Sequence, residues 1–183
     1  CETPMRASFW IVTLSAMLSC AWRPGAVPPA PVAWVDPTRC LSPCAGPDPE
    51  RLVGIDDRGR RAAGPYLIDR DVQPALAALL AEASGQGLFL RVVGAHRTHL
   101  AQEQFFATEP EIGRFARPGH SEHELGLAVD LDHDAESLAF LLRRGPAHGF
   151  VTSYPAGREH RTGFRAEPWH QRHVGPALAA ELT

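Results

Sequence analysis

Four side chains in the C-terminal half of the sequence supply the parts of a catalytic zinc site: His123, Asp130, His170 and Glu167. Zn²⁺ is commonly held by imidazole nitrogens and carboxylate oxygens, and a catalytic site keeps three protein ligands and an open position for water. A further carboxylate can take a proton from that water as general base. These residue types predict a metal-dependent hydrolase, with the two histidines and Asp130 as metal ligands.

The surroundings of Asp130 favour metal binding. It lies within residues 127–131, an apolar stretch whose alternation predicts a buried strand with Asp130 on the face opposite Val129. A buried carboxylate without a partner is costly, so a metal or an arginine should accompany it. An ion pair or a strand-end cap is the alternative. Gly126 lets the chain turn between His123 and Asp130, so that both side chains can converge.

The spacing of Glu167 and His170 predicts a bend. Pro168 disfavours a helical conformation at Glu167, so this segment differs from the helical H-E-x-x-H motif of other metallopeptidases. In a plain strand, residues three positions apart face opposite sides. The chain must therefore bend at Pro168 and Trp169 if Glu167 and His170 serve one metal.

Two segments carry a family resemblance. Residues 121–130 read S-E-H-E-L-G-L-A-V-D and residues 167–170 read E-P-W-H. They match the pattern S-x-H-x-x-G-x-A-x-D followed by E-x-W-H, and Gly149-Phe150 and Tyr154-Pro155 stand between them. From about Pro65 to its end, the sequence resembles the VanY-type D-alanyl-D-alanine carboxypeptidases, zinc peptidases of bacterial cell walls.

The resemblance implies a cofactor, a substrate and a base. The cofactor is Zn²⁺, the partners are peptidoglycan stem peptides, and the reaction removes a C-terminal D-alanine. Glu122 and Glu124 compete for the role of base, but the motif places the base at Glu167. The open alternatives are an L,D-carboxypeptidase or peptidoglycan endopeptidase on the same fold, and a zinc-binding domain without catalysis.

Residues 94–99, G-A-H-R-T-H, extend the resemblance, since the matching stretch of the family reads close to G-Y-R-S-Y. It implies that Arg97 binds the substrate near the scissile carbonyl or the terminal carboxylate, where a fixed guanidinium makes charge-assisted hydrogen bonds. Ser121 and Gln102 are further substrate-binding candidates. His96 and His99 replace tyrosines of the relatives, which leaves the substrate preference open.

The predicted fold is α+β, because helices and strands are interspersed without regular βαβ spacing. Asp71 is the predicted N-cap of the first helix, and Gly85 its end. We expect a mainly antiparallel sheet flanked by helices with the zinc site on the sheet, in agreement with the DD-peptidase/hedgehog-like fold of the family. Predicted helices cover 72–83, 98–106, 136–144 and 176–182, and predicted strands cover 88–93, 127–131 and 150–152.

Residues 1–21 have a short basic start and an apolar stretch, typical of a secretory signal. The Met-Leu-Ser sequence before Cys20 resembles a lipoprotein box, so either a lipid anchor at Cys20 or cleavage a few residues later is expected. Residues 22–48 are rich in proline and predict an extended spacer. We therefore expect an exported protein of the cell envelope or periplasm.

Cys40 and Cys44 follow within that spacer, and in an exported protein they predict a small disulfide loop. Residues 49–183 then form the predicted zinc carboxypeptidase domain, which we expect to be a monomer. The formal net charge is −3 and no basic run occurs, so the composition gives no indication of nucleic-acid binding.

Overall fold

The computed structural model describes residues 46–108 and 115–183. The strands are β1 (Leu52–Ile55), β2 (Tyr66–Asp69), β3 (Leu90–Gly94), β4 (Ala128–His133), β5 (Phe150–Thr152) and β6 (His170–His173). The α-helices are α1 (Gln73–Gly85), α2 (His99–Thr108), α3 (Ala135–Arg144), α4 (Glu159–Thr162) and α5 (Pro176–Leu182). Short 3₁₀ helices cover Pro49–Arg51, Glu122–Leu125 and Gly145–His148. Among the described helices, none combines the length and apolar character that crossing a membrane requires.

The strands form a four-stranded sheet in the order β3-β4-β6-β5 and a separate β1-β2 pair. Every strand pair is antiparallel. Helix α1 contacts β3, and helix α3 contacts β4. The predicted α+β class with a mainly antiparallel sheet is confirmed. The predicted signal, lipid anchor at Cys20 and Cys40–Cys44 disulfide lie outside the described residues and stay predictions.

Strand β4 shows the predicted alternation. Val129 and Leu131 are fully buried in the main hydrophobic core, together with Val92 of β3 and Leu76 and Leu79 of α1. Asp130 points to the opposite face of the sheet, as expected for successive residues of a strand. One face of the sheet therefore packs on the core, and the other face is available for a functional site.

Several element boundaries differ from the prediction by one or two residues. The N-cap of α1 is Val72 rather than Asp71, because Pro74 sits in the first turn and the Asp71 carboxylate instead accepts a 2.6 Å hydrogen bond from Arg51. The predicted end of this helix at Gly85 is confirmed. Strand β3 begins two residues later than predicted, at Leu90, and continues to Gly94.

Candidate metal centre

Three elements bring the predicted metal ligands together. His123 belongs to the 3₁₀ helix Glu122–Leu125, Asp130 lies in β4, and His170 is the first residue of β6. Asp130 and His170 are direct partners in the β4–β6 register, and such cross-strand pairs place their side chains side by side. Gly126 ends the 3₁₀ helix with a φ of 71°, a conformation that glycine adopts without strain, so the predicted turn is present.

The Asp130 carboxylate lies between the two imidazole rings. Its Oδ2 is 3.2 Å from His123 Nε2, and its Oδ1 is 3.2 Å from His170 Nδ1. Possible ligand atoms of the three residues all lie within 4.8 Å of one another. Two nitrogens and one carboxylate oxygen at this separation fit a zinc ion.

Within the trio formed by His123, Asp130 and His170, the negative charge of Asp130 suits a cation. Burial by itself would raise the pKa of Asp130, but His123 and His170 hold that pKa well below its usual range. Burial lowers the pKa of His123. Burial likewise opposes protonation of His170, but its hydrogen bonds with Asp130 and Glu122 raise its pKa to about 9. Asp130 is therefore ionised at neutral pH, as a metal ligand must be.

The predicted bend before His170 is confirmed. Pro168 and Trp169 form a turn that is closed by a 3.0 Å hydrogen bond from the His170 amide to the Glu167 carbonyl. This turn brings Glu167 Oε2 to 4.0 Å from His170 Nδ1. The Glu167 carboxylate has no hydrogen-bond partner among the residues that the structure describes, and burial raises its pKa.

The two competing glutamates are engaged elsewhere. Glu122 contacts His170 Nε2, Ser153 and Arg172, and Glu124 accepts hydrogen bonds from the amides of Gly119 and Ser121. Burial would raise the pKa of Glu122, but its hydrogen bond with His170 and the charge of Arg172 lower that pKa to about 2. Neither glutamate lines the cavity beside the trio, whereas Glu167 does. The geometry thus favours Glu167 as the reactive carboxylate.

A cavity of about 180 Å³ opens beside the trio. Its polar wall includes Arg97, Ser121 and Glu167, and its aromatic wall is built from Phe105, Phe115, Tyr154, Phe164 and Trp169. Neither His96 nor His99 lines this cavity. His99 Nδ1 instead lies 2.8 Å from Glu124 Oε1.

Arg97 is fixed at the cavity by two contacts. Its Nη1 donates to Gln102 Oε1 at 2.8 Å, and its guanidinium lies 4.3 Å from the centre of the Phe105 ring. Gln102 is itself held, because its Nε2 donates to the Ala116 carbonyl at 2.6 Å. Both ends of the Gln102 amide are therefore used in positioning Arg97. Direct contact of Gln102 with a substrate stays a prediction.

Ser121 lines the cavity and starts the 3₁₀ helix of His123 through a capping box with Glu124. The Glu124 carboxylate accepts a 3.2 Å hydrogen bond from the Ser121 amide. This arrangement satisfies backbone donors at the helix start. Ser121 thus has a clear structural role, and its contact with a substrate stays a prediction.

Tyr154 was not identified as a site residue from the sequence. Its ring lies 4.9 Å from the His170 ring, tilted by 37°, and it also contacts Phe164. Burial raises the pKa of the Tyr154 hydroxyl, which keeps it protonated. The Tyr-Pro dipeptide of the motif was the available signal, but only the fold shows that this ring covers His170.

Gly94 makes room for the Asp130 carboxylate, since a Cβ at this position would lie 2.6 Å from Asp130 Oδ2. We expect Gly94→Ala to displace this ligand and weaken zinc binding by about tenfold or more, the size of effect known for groups that orient metal ligands. Competition with a chromophoric chelator measures the change. The control is Gly85→Ala, where the added methyl group meets nothing within 4 Å. Equal zinc affinity of both variants would contradict this role of Gly94.

Known proteins resemble this chain in sequence and in fold. A D-alanyl-D-alanine carboxypeptidase of Enterococcus faecalis is 29% identical over 139 residues, which are 63% of this chain and 51% of that protein. The chain therefore spans about half the length of this relative. The LdcB LD-carboxypeptidase superposes with a TM-score of 0.70 at 24% identity, covering 81% of this chain and 78% of the other.

A VanY D,D-pentapeptidase variant from a VanB-type vancomycin resistance cassette, in complex with Zn(II), superposes with a TM-score of 0.64. It is 24% identical, and the match covers 81% of this chain and 90% of the other. At this identity, both structural likenesses establish the fold. The family model for VanY, D-alanyl-D-alanine carboxypeptidase, matches residues 66–176, which include Arg97, Glu167 and all three predicted ligands. The chain belongs to the VanY family.

Proposed function

We propose that this chain is a zinc-dependent carboxypeptidase that removes the C-terminal D-alanine from peptidoglycan stem peptides. The observation that carries the proposal is the convergence of His123, Asp130 and His170 beside a cavity that Glu167 also lines. The Glu167 carboxylate makes no hydrogen bond with the residues that the structure describes, and it lies 4.0 Å from His170 Nδ1. A metal trio with a separate base is what hydrolysis needs, whereas a purely structural zinc site usually fills its fourth position with a protein ligand. Membership of the VanY family supports the choice of reaction.

Each residue has a part in the hydrolysis of the peptide bond. Zinc held by His123, Asp130 and His170 supplies Lewis-acid polarisation of the carbonyl and lowers the pKa of water. Glu167 accepts the proton that water loses as its oxygen attacks the carbonyl carbon. As the carbon–nitrogen bond breaks, Glu167 returns this proton to the leaving amine of the terminal alanine.

Arg97 supplies the fixed positive charge of the cavity. Its guanidinium is held by Gln102 and Phe105, so little freedom is lost when it binds an anion. Two anionic groups are available, namely the terminal carboxylate of the peptide and the oxygen that gains negative charge during attack. A carboxylate anchor restricts cleavage to the last residue of a peptide, which favours a carboxypeptidase over an endopeptidase.

The substrate assignment is tested with two stem peptides. The purified chain, loaded with zinc, is incubated with the pentapeptide ending in D-Ala-D-Ala and separately with the tetrapeptide, and the products are followed by mass. We expect loss of one alanine from the pentapeptide alone. Cleavage of the tetrapeptide alone would identify an L,D-carboxypeptidase, and cleavage within the stem an endopeptidase. Bound zinc without any cleavage would contradict the proposed activity.

We further propose that the protein is exported to the cell envelope or periplasm. The secretory pattern of residues 1–21 supports this proposal, as does the location of peptidoglycan outside the membrane. Expression of the full chain in a bacterial host, followed by cell fractionation, tests it. Labelling with a radioactive fatty acid, compared between wild type and Cys20→Ser, distinguishes a lipid anchor from simple cleavage. A product found only in the cytoplasm would contradict export.

A further inference from the structure

The buried carboxylate of Glu122 contacts the His170 ring on the side that faces away from Asp130. Glu122 is 4% exposed, and its Oε2 lies 3.0 Å from His170 Nε2, the ring nitrogen that faces away from Asp130. The same oxygen accepts a 2.6 Å hydrogen bond from the Ser153 hydroxyl. Its Oε1 accepts a 3.0 Å hydrogen bond from Arg172, which is 2% exposed. Both carboxylate oxygens are thus fixed by groups from β6 and from the segment after β5.

These contacts decide which nitrogen of His170 can bind a metal. A carboxylate can only accept a hydrogen bond, so Nε2 must carry the proton when it faces the ionised Glu122. In the neutral ring, Nδ1 then holds the lone pair, and Nδ1 is the nitrogen that faces Asp130 at 3.2 Å. The Glu122 contact therefore selects the tautomer that presents a ligand atom to the trio.

The burial of this ion pair also requires an explanation. Removing a carboxylate and a guanidinium from water is unfavourable, and well-packed apolar residues in their place are often as stable or more stable. Glu122 and Arg172 are both more than nine-tenths buried, so their contribution to folding alone gives little reason for the pair. A role in the site accounts for it, because Arg172 holds the carboxylate that orients His170.

The two histidines of the trio differ in this respect. The second ring nitrogen of His123, Nδ1, is buried and has no hydrogen-bond partner among the described residues. Besides Asp130, Glu122 is thus the one carboxylate within hydrogen-bond distance of a ring of the trio, in the part of the chain that the structure describes. Among the described residues, a carboxylate other than Asp130 therefore orients the His170 ring but not the His123 ring.

We propose that Glu122 is a positioning residue of the metal centre, which fixes the orientation and tautomer of His170 and thereby strengthens its bond to zinc. This inference rests on the proposed function for the identity of the metal. Carboxylates hydrogen-bonded to a metal-binding imidazole raise its basicity, and their loss typically weakens metal affinity by about 10–100-fold.

The test compares Glu122→Gln with Glu82→Gln, since both changes remove a carboxylate that contacts an imidazole and a guanidinium. The partners of Glu82 are His148 and Arg144, and neither is a predicted ligand or lines the cavity. Zinc affinity is measured by competition with a chromophoric chelator. The d–d spectrum of the Co²⁺-loaded protein reports the geometry of the ligands. We expect about 10–100-fold weaker zinc binding and an altered cobalt spectrum for Glu122→Gln, and near-wild-type values for Glu82→Gln.

A double variant separates metal positioning from folding. Glu122→Gln leaves the buried Arg172 charge without its carboxylate, so Glu122→Gln/Arg172→Met is measured beside it, with thermal unfolding of the metal-free proteins. The loss of zinc affinity is expected in both variants. Wild-type affinity in either one, or an equal loss in Glu82→Gln, would overturn the positioning role. Failure of the wild-type chain to bind zinc would overturn the proposed function, and this inference with it.

Discussion

Replacing Glu167 with glutamine should lower kcat on the stem pentapeptide by about 10²–10⁴-fold, the usual contribution of a positioned general base. Glutamine keeps the size of the side chain but cannot accept a proton from water. The carboxylate lies 4.0 Å from His170 Nδ1 and makes no hydrogen bond with the described residues, so its loss should leave the metal ligands in place. Steady-state kinetics with product detection by mass measures the effect.

Zinc content decides how this result is interpreted. We expect Glu167→Gln to keep stoichiometric zinc and a KM close to that of the wild type. Glu159→Gln serves as the control, because Glu159 is an exposed glutamate of the same segment before β6 and does not line the cavity. If Glu167→Gln retained wild-type kcat, another group would have to act as the base, and the proposed mechanism would be wrong.

Two elements that the sequence predicted, β4 and α3, carry an apolar period, whereas strands β1 and β2 were not predicted. Strand β4 alternates, with Val129 and Leu131 on the core face, and α3 covers nearly the predicted range. Strand β6 was missed because its residues, His170–His173, are all polar and carry no such pattern. Three of these four residues are buried. The position of this strand is therefore set by its pairing with β4 and β5, and not by an alternation of apolar and polar residues.

The grouping of His123, Asp130 and His170 could be predicted because the motif fixes residue types and spacing, and because Pro168 requires a bend. The role of Glu122 could not be predicted, because its partners His170, Ser153 and Arg172 lie 31 to 50 residues away in the sequence. In the sequence, Glu122 is only one of two extra glutamates beside His123. Pairing of β6 with β4 brings Nε2 of His170 next to the Glu122 carboxylate. Spacing in the sequence does not reveal that contact.

A similar argument explains the cavity wall. The sequence places His96 and His99 next to Arg97, which suggests that they border the substrate. In the structure, Phe105 stacks on Arg97 from one helical turn beyond Gln102, and neither histidine lines the cavity. Helical periodicity in α2 is compatible with this contact, but the direction of the Arg97 side chain depends on its hydrogen bond with Gln102.

Asp130 is the predicted ligand whose loss should most affect the metal, because its carboxylate faces both imidazoles at 3.2 Å. We expect Asp130→Asn to weaken zinc binding by about 10²–10³-fold, since structural zinc sites bind with about 10–16 kcal/mol shared among four ligands. Asparagine has the same shape, but it removes the negative charge opposite the cation. Chelator competition measures the affinity, and activity should fall in proportion to the bound zinc at limiting metal.

Asp132 provides the matched control, two residues along β4 and on the same face of the sheet. Its carboxylate pairs with Arg91 at 2.9 Å, and both side chains are more than two-fifths exposed, so the pair contributes little to stability. Asp132→Asn should therefore keep both zinc and activity. Equal loss of zinc in the two variants would indicate a general effect of charge on this face, whereas loss confined to Asp130→Asn assigns the ligand. That assignment matters for Glu122 as well, because Nδ1, the His170 nitrogen that the Glu122 contact leaves available to a metal, is the one that faces Asp130.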